Sequence, residues 1–560
     1  MPVILRDDVT DDEPRVGDHP QCSPTPLKII HVGCGAAGML FAHKIRRWLT
    51  NYELVIYEKN PVPGGTWYEN RYPGCACDVP SHAYSFTFEP NPEWSGFYSY
   101  ADEIQQYMLD TARKWAVDEF TQYRTEVLST RWMQHSGRWE LQLRRLGVQA
   151  GEEDEQVFTD TCHVLVNGSG VVNKWKWPDI DGLHEFQGTL AHSAAWDSTI
   201  DWAGKGVAII GSGSSSIQMV PPMAETAKSL TVFIRNPTYV GPLMHMLVSN
   251  KETDPDAQEP GSAGIHRYTD KEKKRFREDP DHLLCAANIG NKAFWQRTME
   301  KLLAGDPELG KSLIPDWSPG CRRLSPGEQY LQALLKDNVT PCTQKVTRAS
   351  AKGIITADGV EHQFDIIACA TGFAVQYLPH FRIVGVDGEV MQDQATPNVY
   401  ASVSVPGFPN YFVVNGPRGN WGQGCALPSH ETQIEYILQC CKKIQDDHIE
   451  ILMPKRQLTT QLNVYVDAWH RRRSIWAEDC KSWYKDNKPD GRVYIWPGSM
   501  MHHLKYMKKP RFEHYDIQYT DQSNPFAFLG NGFTIAEEKN SKDIPADYIR
   551  NDENEEWDIE

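Results

Sequence analysis

The sequence predicts an α/β protein with two parallel, doubly wound sheets, and three observations predict it. A short apolar run, carried by Leu27, Ile29, Ile30 and Val32, leads at once into Gly33, Gly35 and Gly38 and then into a helical pattern. The same order of strand, glycine turn and helix returns at Val207 to Ile210, Gly211 and Gly213. A chain of 560 residues also exceeds what a single hydrophobic core supports, so two or three domains are expected.

The first 26 residues are acidic and proline-rich and are expected to form an unstructured lead-in. After the first strand and turn, Ala37, Leu40, Phe41, Ile45 and Trp48 recur at helical spacing, and Leu54 to Tyr57 gives a second buried strand ending at Glu58. In the second unit the helix that follows the turn carries Pro221 and Pro222, which should shorten or kink it after roughly two turns, and Thr231 to Ile234 then forms a strand, with the unit ending at Arg235. Residues 241–320 are charge-dense and then helical in pattern, an expected helical insertion. Strand character returns at Gly359 to Ala370 and at Asn410 to Asn415, which is followed by Gly416 and Pro417. The expected division has one domain at 27–170 and 372–535, a second at 171–240 and 321–371, the insertion at 241–320, and tails at 1–26 and 536–560.

The net charge of -17 belongs mainly to the ends: residues 1–20 carry -4 and residues 537–560 carry -7, leaving -6 for the rest. With no basic patch, nucleic acid is not an expected partner. No apolar run approaches a membrane span, and the opening lacks the regions of a signal peptide, so a cytoplasmic protein is expected. Thirteen cysteines without a CxxC pair suggest reduced thiols.

The glycine turns carry the chemistry. Gly33, Gly35 and Gly38 follow a strand, open a helix and have Glu58 twenty residues beyond Gly38, which is the full context of a Rossmann-like dinucleotide site. Glycines let the backbone approach a pyrophosphate, the helix N-terminus offers free N–H groups to the anion, and Glu58 suits ribose hydroxyls. In the second unit Gly211, Ser212, Gly213, Ser214, Ser215 and Ser216 keep the first two glycines and place a small serine at the third. There the strand ends at Arg235, and a cation in that place pairs with a 2'-phosphate, which favours NADPH. Two such sites in one chain are simplest to explain if NADPH reduces FAD. A redox-cysteine partner is disfavoured, because the first domain offers only Cys75 and Cys77.

Two longer patterns resemble the type I Baeyer–Villiger monooxygenases, a family of class B flavoprotein monooxygenases. Phe186, Gly188, His192 and Trp196, followed by Asp197, match one fingerprint of that family, and Gly64, Gly65, Trp67, Tyr72, Pro73, Gly74 and Asp78 match another. Ala370, Thr371, Gly372 and Phe373 resemble the return crossing to the FAD domain, and Ser482, Trp483 and Tyr484 a late active-site segment. The likeness runs from about Leu27 to Gly532 and is closest to fungal members. It implies FAD, NADPH, O2 and oxygen insertion beside a ketone carbonyl, with bulky cyclic polyketides or terpenoids as substrates; the alternatives are a flavin monooxygenase acting on nitrogen or sulfur and a non-catalytic dinucleotide-binding sensor.

The same resemblance implies Arg323 as the active-site cation, Asp78 as the carboxylate that orients it, and Arg322 as the basic residue nearer the NADP phosphate. Gly65, Thr66, Trp67, Cys77 and Tyr84 map to the flavin and nicotinamide surroundings and Trp483 to the nicotinamide or substrate side. His192 falls in a linker and reads as a hinge or packing residue. Arg418, Gly419, Asn420 and Trp421 depart from the family pattern and are expected to form a bulky, flexible element near the flavin edge.

Overall fold

The computed structural model describes residues 16–147, 156–241 and 292–539 apart from 376, 395, 423, 475 and 477–479, together with residue 552. Most of the expected insertion, at 242–291, and most of both acidic ends lie outside the described residues.

The strands at Leu27–Val32, Tyr52–Tyr57, Thr121–Gln122, Val164–Asn167 and Tyr411–Val413 form one parallel sheet, with Leu27–Val32 in the middle. A strand with this position must be apolar on both faces, and Ile29 and Ile30 are fully buried. The helices Ala36–Trp48 and Leu427–Asp446 pack together on this sheet. A second parallel sheet orders Val339–Cys342, Ser229–Phe233, Gly206–Ile210, Ile366–Cys369 and Thr189–His192, again with the glycine-turn strand central. The two repeated units therefore build two separate sheets of one design, an α/β fold with two Rossmann-like domains.

A four-stranded sheet of Arg382–Val384, Thr125–Met133, Arg138–Arg145 and Val157–Cys162 covers the first unit. Its burial alternates along Arg138–Arg145, as a strand with one dry face requires. Trp139 anchors it, fully buried with its indole N–H donated to the Pro409 carbonyl at 2.8 Å.

The chain crosses between the two sheets at adjacent places. Trp175 and Phe373 form a β-bridge, and the Ala374 N–H donates to the Lys174 carbonyl at 2.7 Å. His192 closes this crossing: its ring stacks on Trp175 at 4.5 Å, Nδ1 accepts from the Ala194 N–H, and Nε2 lies 3.1 Å from the Thr371 hydroxyl. Burial lowers its pKa to about 4, so the ring is neutral and Nε2 is the donor.

Four expectations need correction. The Ser214–Thr226 helix runs unbroken through Pro221 and Pro222. Pro222 has no N–H for the Gln218 carbonyl, and that freed carbonyl lies against Gly74 of the first unit, where a Cβ would approach it to 2.2 Å. The prolines thus open a notch in which the two units meet. Residues 16–26 are not loose, because the Gln21 and Cys22 N–H groups donate to the Phe533 and Phe528 carbonyls, each at 2.7 Å.

The Arg418–Trp421 loop is anchored rather than flexible. Arg418 is 4% exposed, donates to Asn463 and Val493, and pairs with Asp467, which also binds Arg492. A charge so buried is held only where carboxylate and carbonyls surround it. Finally, not all thiols are free: Cys321 and Cys480 form a disulfide, with Cα atoms 6.4 Å apart.

Candidate active site

A cavity of about 480 Å³ opens at the C-terminal end of the first sheet. Gly33, Gly35, Glu58, Gly65, Thr66, Trp67 and Tyr84 are among its walls. Gly33 has φ +93°, which an L side chain rarely adopts, and a Cβ on Gly38 would strike the Gly33 carbonyl at 2.3 Å. Gly35 caps the first helix with no side-chain bond and no acid in the first turn, so the helix offers its N–H groups to an anion. A Cβ on Gly65 would lie 3.1 Å from the Gly35 Cα, which shows how little room the floor leaves for side chains. Glu58 is 4% exposed, and its carboxylate accepts from the Cys34 and Asn60 N–H groups at 2.6 and 2.8 Å. Burial raises its pKa. A glycine floor, an uncapped helix and an acid at the strand end fit an FAD molecule.

Beyond Gly65 the Trp67 indole donates to the Tyr84 hydroxyl at 3.1 Å, with the rings edge to face. Cys77 lies close by, and its N–H donates to Ser99. Burial pushes the Cys77 thiol up, and the Cys75 thiol to about 11, so neither is a thiolate nucleophile. Asp78 follows and makes a two-pronged pair with Arg323: Nε bonds one oxygen and Nη2 donates to the other at 2.7 Å. The fork geometry is specific to arginine. Burial opposes the Arg323 cation, but Asp78 and then Tyr484 outweigh it and hold the guanidinium protonated. Protein closes around most of it, while 29% of its side-chain surface stays open.

The second glycine turn is built alike. Gly211 has φ +132°, and a Cβ there would meet the Ala370 carbonyl at 2.3 Å. Gly213 caps the helix without a side-chain bond and has open space where a Cβ would stand. Ser212 donates to the Asn236 carbonyl, Ser214 meets the Ser325 hydroxyl, Ser215 lies beside Tyr72, and Ser216 is fully buried with no partner for its hydroxyl among the described residues. Arg235 is exposed. Arg322 donates from Nε to the Lys481 carbonyl at 2.6 Å, and burial and then the neighbouring Arg235 lower its pKa. Among the described residues no carboxylate pairs with either arginine. Two adjacent cations of this kind fit a phosphate.

The structure therefore brings together Trp67, Cys77, Asp78, Tyr84 and Arg323 at one centre, and Arg235 with Arg322 at another. Trp483 stands apart, half-buried, with its ring centroid 4.2 Å from that of Tyr484. The role of Tyr484 was missed: the resemblance puts it in a late active-site segment, and the fold makes it the side chain that reaches Arg323. Gln218 was also missed; its amide accepts from Tyr72 and donates to the Ala76 carbonyl at 2.9 Å, tying the second unit to the loop that carries Asp78. Nothing in the spacing distinguishes either residue. Among the described residues no helix is long and apolar enough to cross a membrane.

Comparison with known proteins agrees with this geometry. Residues 32–101 match an NAD(P)-binding Rossmann-like domain and residues 79–246 a flavin-binding monooxygenase-like family. The chain is 37% identical to the FAD-binding monooxygenase tazF of Aspergillus terreus, covering 94% of this chain and 95% of that protein. It is 31% identical to a Baeyer–Villiger monooxygenase of Pseudomonas aeruginosa, covering 85% and 89%. The fold resembles cyclohexanone monooxygenase from Rhodococcus bound to NADP+, with a TM-score of 0.71 at 23% identity over 89% of this chain and all of that one. The chain belongs to the FAD-binding monooxygenases, in the group of type I Baeyer–Villiger-like flavoproteins that use FAD and NADP.

Proposed function

We propose that this enzyme is an NADPH- and O2-dependent Baeyer–Villiger monooxygenase that converts a ketone to an ester or lactone, with NADP+ and water as the other products. On this reading residues 27–170 and 372–535 hold FAD and residues 171–240 and 321–371 hold NADPH. Held there, FAD would supply the transfer of two electrons from NADPH to O2. Glu58 accepts from ribose hydroxyls, and Gly33, Gly35 and Gly38 admit the pyrophosphate. Gly65, Thr66, Trp67, Cys77 and Tyr84 frame the reacting end of the cleft. Gly211 to Ser216 receive the second pyrophosphate, Arg235 and Arg322 hold the 2'-phosphate, and Trp483 backs the nicotinamide side.

The observation that carries the reading is the Arg323–Asp78 pair. Negative charge grows on oxygen as the carbonyl is attacked, and a cation that keeps its proton and cannot turn away stabilises that charge without reorganising. Asp78 fixes the fork, and Tyr484 also interacts with it. The likeness to fungal relatives favours a bulky cyclic polyketide or terpenoid of secondary metabolism as the substrate.

The test is the Arg323→Ala variant with a ketone panel run beside thioethers and amines. It should keep FAD and lose ester formation by roughly a hundred- to a thousandfold, the range for removing an oxyanion stabiliser. Near-normal oxygenation would sink the assignment. Turnover of thioethers or amines but not ketones would move the enzyme to nitrogen or sulfur oxygenation.

A further inference from the structure

The Cys321–Cys480 disulfide joins two segments, far apart in the sequence, that meet at the arginine centre. Cys321 is fully buried and immediately precedes Arg322 and Arg323; Cys480 is 1% exposed and immediately precedes the Lys481–Tyr484 segment. The sequence separation is 159 residues, so no local structure holds them together. The contacts around the bond cross the same seam or brace one side of it. Arg322 donates to the Lys481 carbonyl, the Trp476 indole donates to the Cys321 carbonyl at 3.1 Å, Lys485 donates to the Trp476 carbonyl at 2.8 Å, and Tyr484 reaches Arg323. The ten other cysteines among the described residues are free.

We propose that Cys321–Cys480 is a thiol–disulfide site that clasps the arginine pair to the Lys481–Tyr484 segment, and that its oxidised state sets the tight affinity for NADP. Closing it removes two electrons and two protons from the two thiols. With a peroxide as acceptor, hydrogen peroxide gives two waters as its O–O bond breaks and the S–S bond forms. A flavin oxygenase makes that oxidant whenever reduced flavin meets O2 without substrate. Opening needs a dithiol, which leaves as its own disulfide. With the clasp open, Arg322 loses the covalent tether behind its Lys481 bond and is free to leave Arg235, its like-charged neighbour. The cleft that would hold FAD is lined by other residues, Gly33, Glu58 and Trp67 among them, and keeps its own walls.

The proposal rests on the reading of Arg322 as a phosphate ligand, and its test is chosen to fail separately. Untreated holoenzyme is denatured, alkylated and mapped by peptide mass spectrometry, before and after dithiothreitol. NADP+ is then titrated by the change in flavin absorbance in oxidised wild type, in reduced and desalted wild type, and in Cys321→Ser, Cys480→Ser and the double variant. The Cys321–Cys480 peptide should appear only without dithiothreitol. The NADP+ Kd should rise roughly tenfold on reduction and in each variant, no further in the double, at constant FAD content. The reduced wild type carries the test if the serine variants misfold. Alkylation of both thiols in untreated protein, or an NADP+ Kd indifferent to reduction, overturns the clasp. A normal rate of oxygenation in Arg323→Ala overturns the proposed reaction and leaves these binding results standing.

Discussion

In the first unit the strand after the glycine turn ends at Glu58, which is buried and held by two N–H groups; in the second it leads to Arg235, which is exposed beside Arg322. The turns before them share a plan: a glycine at positive φ, an uncapped helix, a parallel neighbour. At the third position the first unit needs Gly38, because the Gly33 carbonyl occupies the place of a Cβ, whereas the second accommodates Ser216. One strand back, the first unit buries His31 where the second has Ile209. On the proposed reading the turn provides for pyrophosphate in general, and the residues around it decide which dinucleotide is held and how tightly.

Substitutions can break this comparison at graded cost. The largest effect is expected from Gly38→Ala, whose methyl meets a backbone oxygen at 2.3 Å that cannot retreat without opening the turn. Protein purified with this change should lose most of its FAD, measured by the ratio of flavin to protein absorbance; full occupancy would show that the turn tolerates a Cβ. Next is Arg235→Ala, for which the KM for NADPH should rise roughly ten- to a hundredfold, the worth of a charge-assisted bond, and the KM for NADH hardly at all. An equal rise for both would remove Arg235 from phosphate recognition.

A smaller, pH-dependent difference separates the units through His31. The ring is fully buried, its Nδ1 donates to the Gly33 carbonyl at 3.0 Å, and burial lowers its pKa to about 4. A histidine whose folded pKa lies below its unfolded value contributes stability that is present above the unfolded value and lost as pH falls through the folded one. The thermal midpoint should therefore fall between about pH 6.5 and 4, and less steeply in His31→Ile, which copies the second unit. Parallel profiles would show that His31 does not couple the turn to pH. The smallest effect is expected from Ser216→Ala: removing a buried hydroxyl without a partner should be neutral or stabilise by up to about 1 kcal/mol in a denaturant melt, and a clear loss would reveal a bond the turn relies on.

Much of this was legible in the sequence, because strand, turn and helix are local patterns and each glycine answers to a neighbour a few residues away. Asp78 and Arg323 were legible only through the fingerprint and family resemblance, since nothing in spacing alone brings residues 78 and 323 together. What stayed hidden depends on distant partners. The resemblance puts Tyr484 in an active-site segment, but only the fold brings it to Arg323. Cys321 and Cys480 look like unpaired thiols in a list of thirteen. Pro221 and Pro222 read as helix breakers because the helix was judged alone, whereas Gly74 uses the carbonyl they free. Arg418 read as a loop cation because its counter-charge, Asp467, lies on a helix 49 residues on.

The paired crossings at Trp175 and Phe373 have a consequence for how such a chain can be rearranged. Since Lys174 and Ala374 are hydrogen-bonded neighbours, everything between them leaves and re-enters the first domain through a single doorway. In chain path the segment is a cassette: a foreign nicotinamide module with closely spaced ends could be plugged into the same socket if it brought counterparts of Arg323 and Cys321, whose partners Asp78 and Cys480 stay behind.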